Sequence, residues 1–425
     1  MKRVLMIAFH FPPQAASSGI QRTLNFSKHL GKHGWEPIVI SAHPRAYDAQ
    51  NPSQLASIPP ELQVRRVFAL DAKHHLGVKG RYSELLALPD RWGTWWLGAV
   101  PAALSLVRKH RPQVIWSTFP IATAHLIGLT LHRLTGLPWI ADFRDPMLQP
   151  AYPASGLQRR IWGWIERQTI QRCHTAVFTT HSAMQVYRAR FPEVAADKFA
   201  VIENGYDEES FGQAKPDTAQ PSGRLTLVHS GVLYQTGRDP SRFLQAIADL
   251  KQQGKVDAGA LRVILRAPGD MDRMEALVRE SGVEDIVEVA ASVPYREALQ
   301  EMLNADGLLI FQGTQFNNQI PAKVYEYFRA RKPILALVDP AGETAQVLRA
   351  AGFASLAAMD DRAQIAAVLD GFVGQVRSGQ AHVASEALIA SSSRVGRTRE
   401  LASVFERTSA KPSGVLVSDV EINKP

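Results

Sequence analysis

A few short clusters in the 425-residue chain combine residue types and spacings that could do chemistry. HFPPQAASSGIQR, His10 to Arg22, separates an apolar run ending at Phe9 from a helical pattern starting near Gly19. Ser17, Ser18 and Gly19 leave the backbone uncovered there, so unpaired N–H groups and the positive end of a helix could meet a phosphate or a sugar. A serine-capped turn would have the same composition, and neither the three-glycine dinucleotide fingerprint nor the Gly-Lys-Ser/Thr of a P-loop is present. In VYEYF, 324–328, Glu326 sits among aromatic residues. An unpaired carboxylate in such surroundings is costly, so it calls for a ligand or a partner. Asp270-Met271-Asp272 has the spacing of a metal-binding acidic pair, but it follows Pro268-Gly269 and precedes a helical pattern, which is where a helix cap belongs. His29 and His33 are spaced like two zinc ligands on one helix face. No glutamate follows His29 and no third ligand suggests itself, so both read as histidines at a helix carboxyl end.

The elements that must position these residues alternate almost throughout. RVLMIAF, EPIVISA, QVRRVFAL, QVIWSTF, LPWIADF and TAVFTT read as strands, with helical patterns at 19–33, 95–110, 121–135 and 157–172. A polar, proline-containing stretch follows, and the alternation restarts with LTLVHSG, LRVILRA, IVEVA, GLLIFQ and PILALV. Their helical partners fall at 239–253, 270–281, 295–304, 321–331 and 343–351. This is the pattern of parallel, doubly wound sheets. The expected fold is therefore α/β, with two Rossmann-like domains facing an inter-domain cleft. The expected boundaries are residues 1–205, a linker at 206–224, residues 225–385, a terminal helix at 386–408 packing back on the first domain, and a disordered tail at 409–425.

Composition narrows the function classes. Residues 1–200 carry 24 Lys and Arg against 11 Asp and Glu, whereas residues 201–425 carry 24 against 29. A basic half suggests a polyanionic partner. Trp92, Trp95, Trp96, Trp162 and Trp164 accompany Arg81, Arg91, Arg159, Arg160 and Arg167 in that half, a combination suited to an anionic membrane surface or to an ordinary core beneath solvated arginines. No helix-turn-helix, zinc-finger or RNA-binding signature points to nucleic acid. The lone Cys173 cannot form an internal disulfide, the first apolar run is too short for a signal peptide, and no run reaches the ~18 apolar residues of a membrane span. The expected location is the cytoplasm, with peripheral association at the inner face of the cell membrane.

NNQIPAKVYEYFRARKPILAL (317–337), together with HFPPQAASSGIQR, PWIADFRDP, FAVIENGYD and HSGVLYQTGRDP, resembles the family 4 (group 1) glycosyltransferases, which are retaining enzymes of the GT-B architecture. The resemblance covers almost all of residues 1–355, in the right order. It implies a carboxyl-terminal domain that binds a nucleoside diphosphate sugar and an amino-terminal domain that binds a glycan or lipid-linked acceptor. Glu326 corresponds to the family's ribose-binding glutamate, and a carboxylate can accept two hydrogen bonds from a cis-diol. Pro321 and Lys323 lie at the helix end that meets the phosphates, Arg238 balances the diphosphate, and Gly231 allows its close approach. Ser18 and Gly19 complete the expected donor site. Asn318 stands where many relatives have a second glutamate, and Arg144, flanked by Asp142 and Asp145, stands where many have a histidine. Asn318 belongs to the expected donor site, and Asp142, Arg144 and Asp145 are the candidates for the acceptor side. The Ile-Pro-Ala-Lys and Asp-Phe-Arg-Asp-Pro motifs resemble a subgroup that makes bacterial surface polysaccharides and glycolipids.

The resemblance further implies chemistry without a metal or other cofactor, because cationic side chains and a helix end can stabilise a departing diphosphate. Two other readings stay open at this level. One is an enzyme akin to the sugar-nucleotide 2-epimerases, with the same donor and no large acceptor. The other is a non-catalytic sugar-nucleotide-binding subunit, which Asn318 favours and the joint presence of Arg238, Lys323 and Glu326 opposes.

Overall fold

The computed structural model describes residues 1–15, 19–75, 77, 83–149, 152–216 and 223–410, without the side chain of Glu84. Ser17 and Ser18 of the first loop, Arg81, part of the expected linker and nearly all of the polar tail lie outside these residues. The chain divides into two compact units.

The first unit comprises Met1–Phe178, Val186–Ile202 and the chain from Thr398 onward. Its strands are β1 (Lys2–Ile7), β2 (Trp35–Ala42), β3 (Gln63–Val67), β4 (Val114–Thr118), β5 (Trp139–Arg144), β6 (Thr175–Phe178) and β7 (Phe199–Val201). They form one sheet in the order β3-β2-β1-β4-β5-β6-β7, and every pairing is parallel. Helices cover both faces of such a sheet, which is why the larger parts of β1, β4 and β5 are apolar runs rather than alternating ones. Val4 to Ile7 and Val114 to Trp116 are fully buried.

The second unit comprises Thr179–Gln185 and Glu203–Arg397. It repeats the plan with β8 (Leu225–Ser230), β9 (Leu261–Arg266), β10 (Val287–Ala290), β11 (Gly307–Gln312), β12 (Ile334–Val338) and β13 (Leu356–Ala357). Their order is β10-β9-β8-β11-β12-β13, again parallel throughout. Both units are Rossmann-like. In each, the strand order reverses direction at one place, between β1 and β4 in the first unit and between β8 and β11 in the second.

Two sequence expectations require correction. The expected terminal helix at 386–408 breaks into Glu386–Ser391 and Arg394–Ala410. The break serves backbone pairing, because the Tyr206 N–H donates to the Ser392 carbonyl (3.1 Å) and the Arg394 N–H to the Tyr206 carbonyl (2.9 Å). The tryptophan-rich surface is also mostly interior. Trp95 and Trp162 are buried, and the indole N–H of Trp162 donates to the Pro89 carbonyl at 2.6 Å. Half-buried Trp92 and Trp96 donate to the Ala46 carbonyl and to Thr130 Oγ1. Of the five, only Trp164 is exposed.

The terminal helix belongs to the first unit from Thr398 on. Leu401, Val404 and Phe405 join a core cluster with Val4, Met6 and Trp35, and the Phe405 ring packs edge-on against Trp35 at 5.2 Å. Phe405→Ala should therefore cost about 3–5 kcal/mol, the usual result of emptying a buried phenyl site. Chemical denaturation followed by tryptophan fluorescence should show a lower midpoint.

Candidate functional site

In a doubly wound sheet, ligands sit beyond the carboxyl ends of the strands where the order reverses. In the first unit that place is furnished by the loops after β1, β4 and β5. Arg22, in the first turn of the helix Gly19–His29, is buried and grips Asp142 at the end of β5. Its Nε donates to Oδ2 (3.0 Å) and its second guanidinium nitrogen to Oδ1 (2.9 Å), while Thr118 Oγ1 at the end of β4 donates to Oδ2 at 2.9 Å. Gly19, the first residue of that helix, is buried beside the loop whose Ser18 lies outside the described residues.

Beyond Asp142 the register of β5 shifts, and Arg144 has φ of 59°, a left-handed conformation that a residue with a Cβ rarely adopts. Arg144 closes β5, paired with Phe178, and Asp145 follows it past the strand end; both are half-buried. Burial lowers the pKa of the Arg144 guanidinium, an effect that Asp145 and Asp142 oppose. Burial likewise raises the pKa of the Asp145 carboxyl, against the pull of Arg144. His10, which sequence reasoning did not single out, belongs to the same group. Burial, with Arg144 nearby, holds its pKa down to about 3, so it is a neutral imidazole at any working pH. Asp142 is thus a closed structural partner, whereas Arg144, Asp145 and His10 form the strained polar rim beyond it.

The second unit is furnished by the loops after β8 and β11. Gly231, just past β8, has φ of 124°, and a Cβ there would lie 3.0 Å from Lys323 Nζ. Lys323 opens the helix Lys323–Ala330, with Pro321 two residues earlier. Its ammonium donates to the Ser230 carbonyl at 2.7 Å and lies 3.3 Å from His229 Nε2. The other ring nitrogen of His229 faces the Leu309 carbonyl at 2.9 Å, so the buried, neutral imidazole donates there and accepts from Lys323. Burial, reinforced by Arg238, lowers the Lys323 pKa to about 7.

Arg238 stands over the rings of Tyr234 (5.4 Å) and Phe316 (5.1 Å), and its buried Nε has no hydrogen-bond partner. Among the described residues neither Lys323 nor Arg238 makes a salt bridge. Two neighbouring cations without a paired carboxylate among the described residues could hold an anion.

Residues absent from the sequence reading hold this site together. Gln312, ending β11, donates to the carbonyls of Phe316 (3.2 Å) and Gln319 (2.7 Å) and faces Arg238 through its carbonyl oxygen. The Gly313 N–H donates to the Gly237 carbonyl at 2.7 Å, and a Cβ on Gly237 would come within 2.4 Å of the Gln315 side chain. Glu326, one turn beyond Lys323, accepts a hydrogen bond from the Tyr295 hydroxyl at 2.7 Å through Oε1. Asn318 is exposed, and its carbonyl accepts from Thr180 Oγ1. Asp270 caps the helix Met271–Glu280 by accepting from the Arg273 N–H. Asp142→Asn should strand the buried Arg22 charge and cost about 3–5 kcal/mol. Urea denaturation at pH 7 would check this, and a loss under 1 kcal/mol would refute the closed-pair description.

Residues 18–205 match the family model described as Glycosyl transferase 4-like domain. No curated protein matches the sequence. Among solved structures, the chain is similar to a sucrose-phosphate synthase from Thermosynechococcus elongatus at 13% identity and a TM-score of 0.62, covering 96% of each chain. It is similar to WaaG, a glycosyltransferase involved in lipopolysaccharide biosynthesis, at 14% identity and a TM-score of 0.58, covering 96% of this chain and 98% of that one. A UDP-N-acetylglucosamine 2-epimerase is similar at 12% identity and a TM-score of 0.52, with 94% of each chain covered. By these likenesses, residues 18–205 match the glycosyl transferase 4-like domain, and the whole chain has the two-Rossmann-like-domain fold of these enzymes.

Proposed function

We propose that the protein is a retaining glycosyltransferase that moves a sugar from a nucleoside diphosphate sugar to a glycan or lipid-linked acceptor in the synthesis of bacterial surface polysaccharide or glycolipid. The observation that carries this reading is the unpaired Lys323–Arg238 cluster over Gly231, one helical turn from Glu326. In this reading the diphosphate lies against the two cations and the opening turn of the helix Lys323–Ala330. Glu326 accepts from the ribose diol, its geometry fixed by the Tyr295 hydroxyl. The bond between the anomeric carbon and the phosphate oxygen breaks, and its electron pair leaves with the diphosphate. Lys323 and Arg238 stabilise the charge that develops there. The acceptor oxygen bonds to the anomeric carbon on the face the diphosphate leaves, and the acceptor proton passes to the departing phosphate oxygen. Arg144 and Asp145 shape the acceptor side, with Asp142 acting on them through the fold. The matched domain and the likeness to WaaG support this reading. The likeness to the 2-epimerase favours a second one, in which the same donor site serves an isomerisation. Incubation with donor alone separates them, since an epimerase converts the sugar nucleotide and a transferase does not.

Two side chains supply the positive charge, so transfer should survive removal of divalent ions. Activity with each candidate donor, measured before and after exhaustive chelation, should be unchanged within a factor of about two, and abolition would sink the metal-free mechanism.

If Glu326 binds the ribose with charge-assisted bonds worth ~1.5–3 kcal/mol each, Glu326→Gln should weaken nucleotide binding at least tenfold. Apo stability should barely fall, because a glutamine carbonyl can still accept from Tyr295. Melting curves with and without saturating UDP or GDP read both quantities. A destabilised variant that still responds fully to nucleotide would reject the ribose role.

The Lys323 pKa of about 7 lies below the ordinary lysine value, so the folded protein binds fewer protons than the unfolded chain between about pH 7 and 10.5. Stability from this group is lowest below pH 7 and rises as pH climbs through that window. A bound diphosphate favours the charged form. Nucleotide binding near pH 8 should therefore take up a fraction of a proton, and Lys323→Gln should lose that fraction. Calorimetry in buffers of different ionisation enthalpy measures it, and equal uptake in both proteins would count against the assignment.

A further inference from the structure

The transfer mechanism uses Lys323 only for its charge, yet the surroundings of Nζ also fit the neutral amine. The side chain is half-buried at the start of the helix Lys323–Ala330. Nζ donates to the Ser230 carbonyl at 2.7 Å and faces His229 Nε2 at 3.3 Å, a nitrogen that accepts because the other one donates to the Leu309 carbonyl. These two acceptors use both N–H bonds of a neutral amine and leave its lone pair turned away from them. The space beside the nitrogen is open. A Cβ added to Gly231 would meet, apart from the adjoining residues, only Lys323 within 4 Å, with Nζ at 3.0 Å and Cε at 3.7 Å. Lys251 and Lys255 differ, since Asp285 and Asp370 hold each as an ammonium at 2.7 Å.

The charged and titratable groups around Nζ are Arg238, His229 and Glu326. Burial first, and Arg238 after it, bring the Lys323 pKa down to about 7, against the opposing pull of Glu326. His229 is neutral and adds no positive charge. About half of the Lys323 side chains are therefore uncharged near pH 7, where an ordinary lysine is uncharged in fewer than about one molecule in a thousand. Desolvation beside a second cation is one of the ways an amine becomes a nucleophile at neutral pH. Arg238 keeps its charge, so an anion drawn to it arrives next to a free lone pair.

We infer that Lys323 is a modification site for small acyl phosphates, which rest their phosphate on Arg238 and the opening turn of the helix and pass the acyl group to Nζ. The nitrogen lone pair forms the bond to the acyl carbon. The bond between that carbon and the bridging phosphate oxygen breaks, its electron pair leaves with the phosphate, and the phosphate takes one proton from the nitrogen and departs as hydrogen phosphate. The product is a neutral amide. The site loses one of its two cations and the space beside Gly231 is filled, so acylation switches off anion binding. That regulatory consequence rests on the transferase reading; the reactive amine rests on the geometry of the second unit alone.

Acetyl phosphate is the probe, incubated with the intact protein near pH 7.5, with each acetylated lysine quantified by peptide mass spectrometry. Lys323 should react at least tenfold faster than Lys109, which is exposed. It should outpace Lys332 by the same factor. Burial lowers the Lys332 pKa too, but that residue precedes β12, at the opposite end of the sheet from Gly231, and so controls for basicity without an anion site. Acetic anhydride carries no phosphate and should reduce the preference for Lys323 at least threefold. Saturating UDP or GDP should protect Lys323, and the acetylated protein should lose its nucleotide-induced rise in melting temperature. Acetylation of Lys323 no faster than that of Lys109 or Lys332 overturns the inference, and an equal preference with acetic anhydride overturns the phosphate docking. If Lys323 is acetylated selectively while neither nucleotide protects it or raises the melting temperature, the transferase reading fails and the reactive lysine stands. A full nucleotide response without selective acetylation discards this inference alone.

Discussion

Every functional feature of this chain depends on one topological constraint. A parallel strand must be followed by a crossover, and the crossover runs to one side of the sheet or the other. Where successive crossovers leave in opposite directions, between β1 and β4 and again between β8 and β11, no connection fills the space beyond the strand ends. Helix amino termini and loops from several strands converge there without burying one another. In the first unit this brings together Arg22, Thr118, Asp142 and Arg144, which lie far apart in sequence. In the second it brings Gly231 and Arg238 to Lys323. The sheets therefore set which residues can meet, and the loops set what they do.

The two sites spend that opportunity differently. Arg22 and Asp142 neutralise each other with ideal fork geometry and a third bond from Thr118, so the charge is self-contained and rigid. Lys323 and Arg238 repel each other, and the Lys323 ammonium is served only by a carbonyl and a neutral histidine. Burial first, and Arg238 after it, disfavour the charged form of Lys323, so the arrangement is destabilising by itself. It persists because the surrounding loops are over-determined. Gln312 pins two carbonyls of the 313–320 segment, and the Gly237–Gly313 contact locks that segment to the loop carrying Arg238. An anion that binds here relieves the repulsion between the two cations.

The sequence carried the fold well and the sites unevenly, for physical reasons. Strand and helix periods, with glycine and proline at their borders, are local signals, and most elements lie where the pattern puts them. The break at Ser392-Ser393 was invisible because it answers to a tertiary pairing with Tyr206. The tryptophans misled because composition cannot tell a wet indole from a buried one whose N–H reaches a carbonyl 73 residues away, as that of Trp162 reaches Pro89. Lys323 and Arg238 were singled out through resemblance to known motifs, and Glu326 also by its aromatic surroundings. Gln312, Tyr295 and His10 were not, since a lone glutamine after an apolar strand or a tyrosine opening a helix gives no periodic or spacing signal. Their importance lies in what they touch.

Arg144 shows how a departure from a family pattern can be weighed on physical grounds. A side chain with a Cβ held at φ of 59° costs roughly 1–2 kcal/mol, and such strain persists only where neighbouring contacts enforce it. Here the enforcement is visible on both sides. Asp142 is locked into the sheet by Arg22 and Thr118, and Pro146 restricts the backbone of Asp145. Between these fixed points, the shifted register ends β5 on Arg144, beside Asp145 and His10. The strain, the committed Asp142 and the neutral His10 together set Arg144 among polar groups at the end of β5.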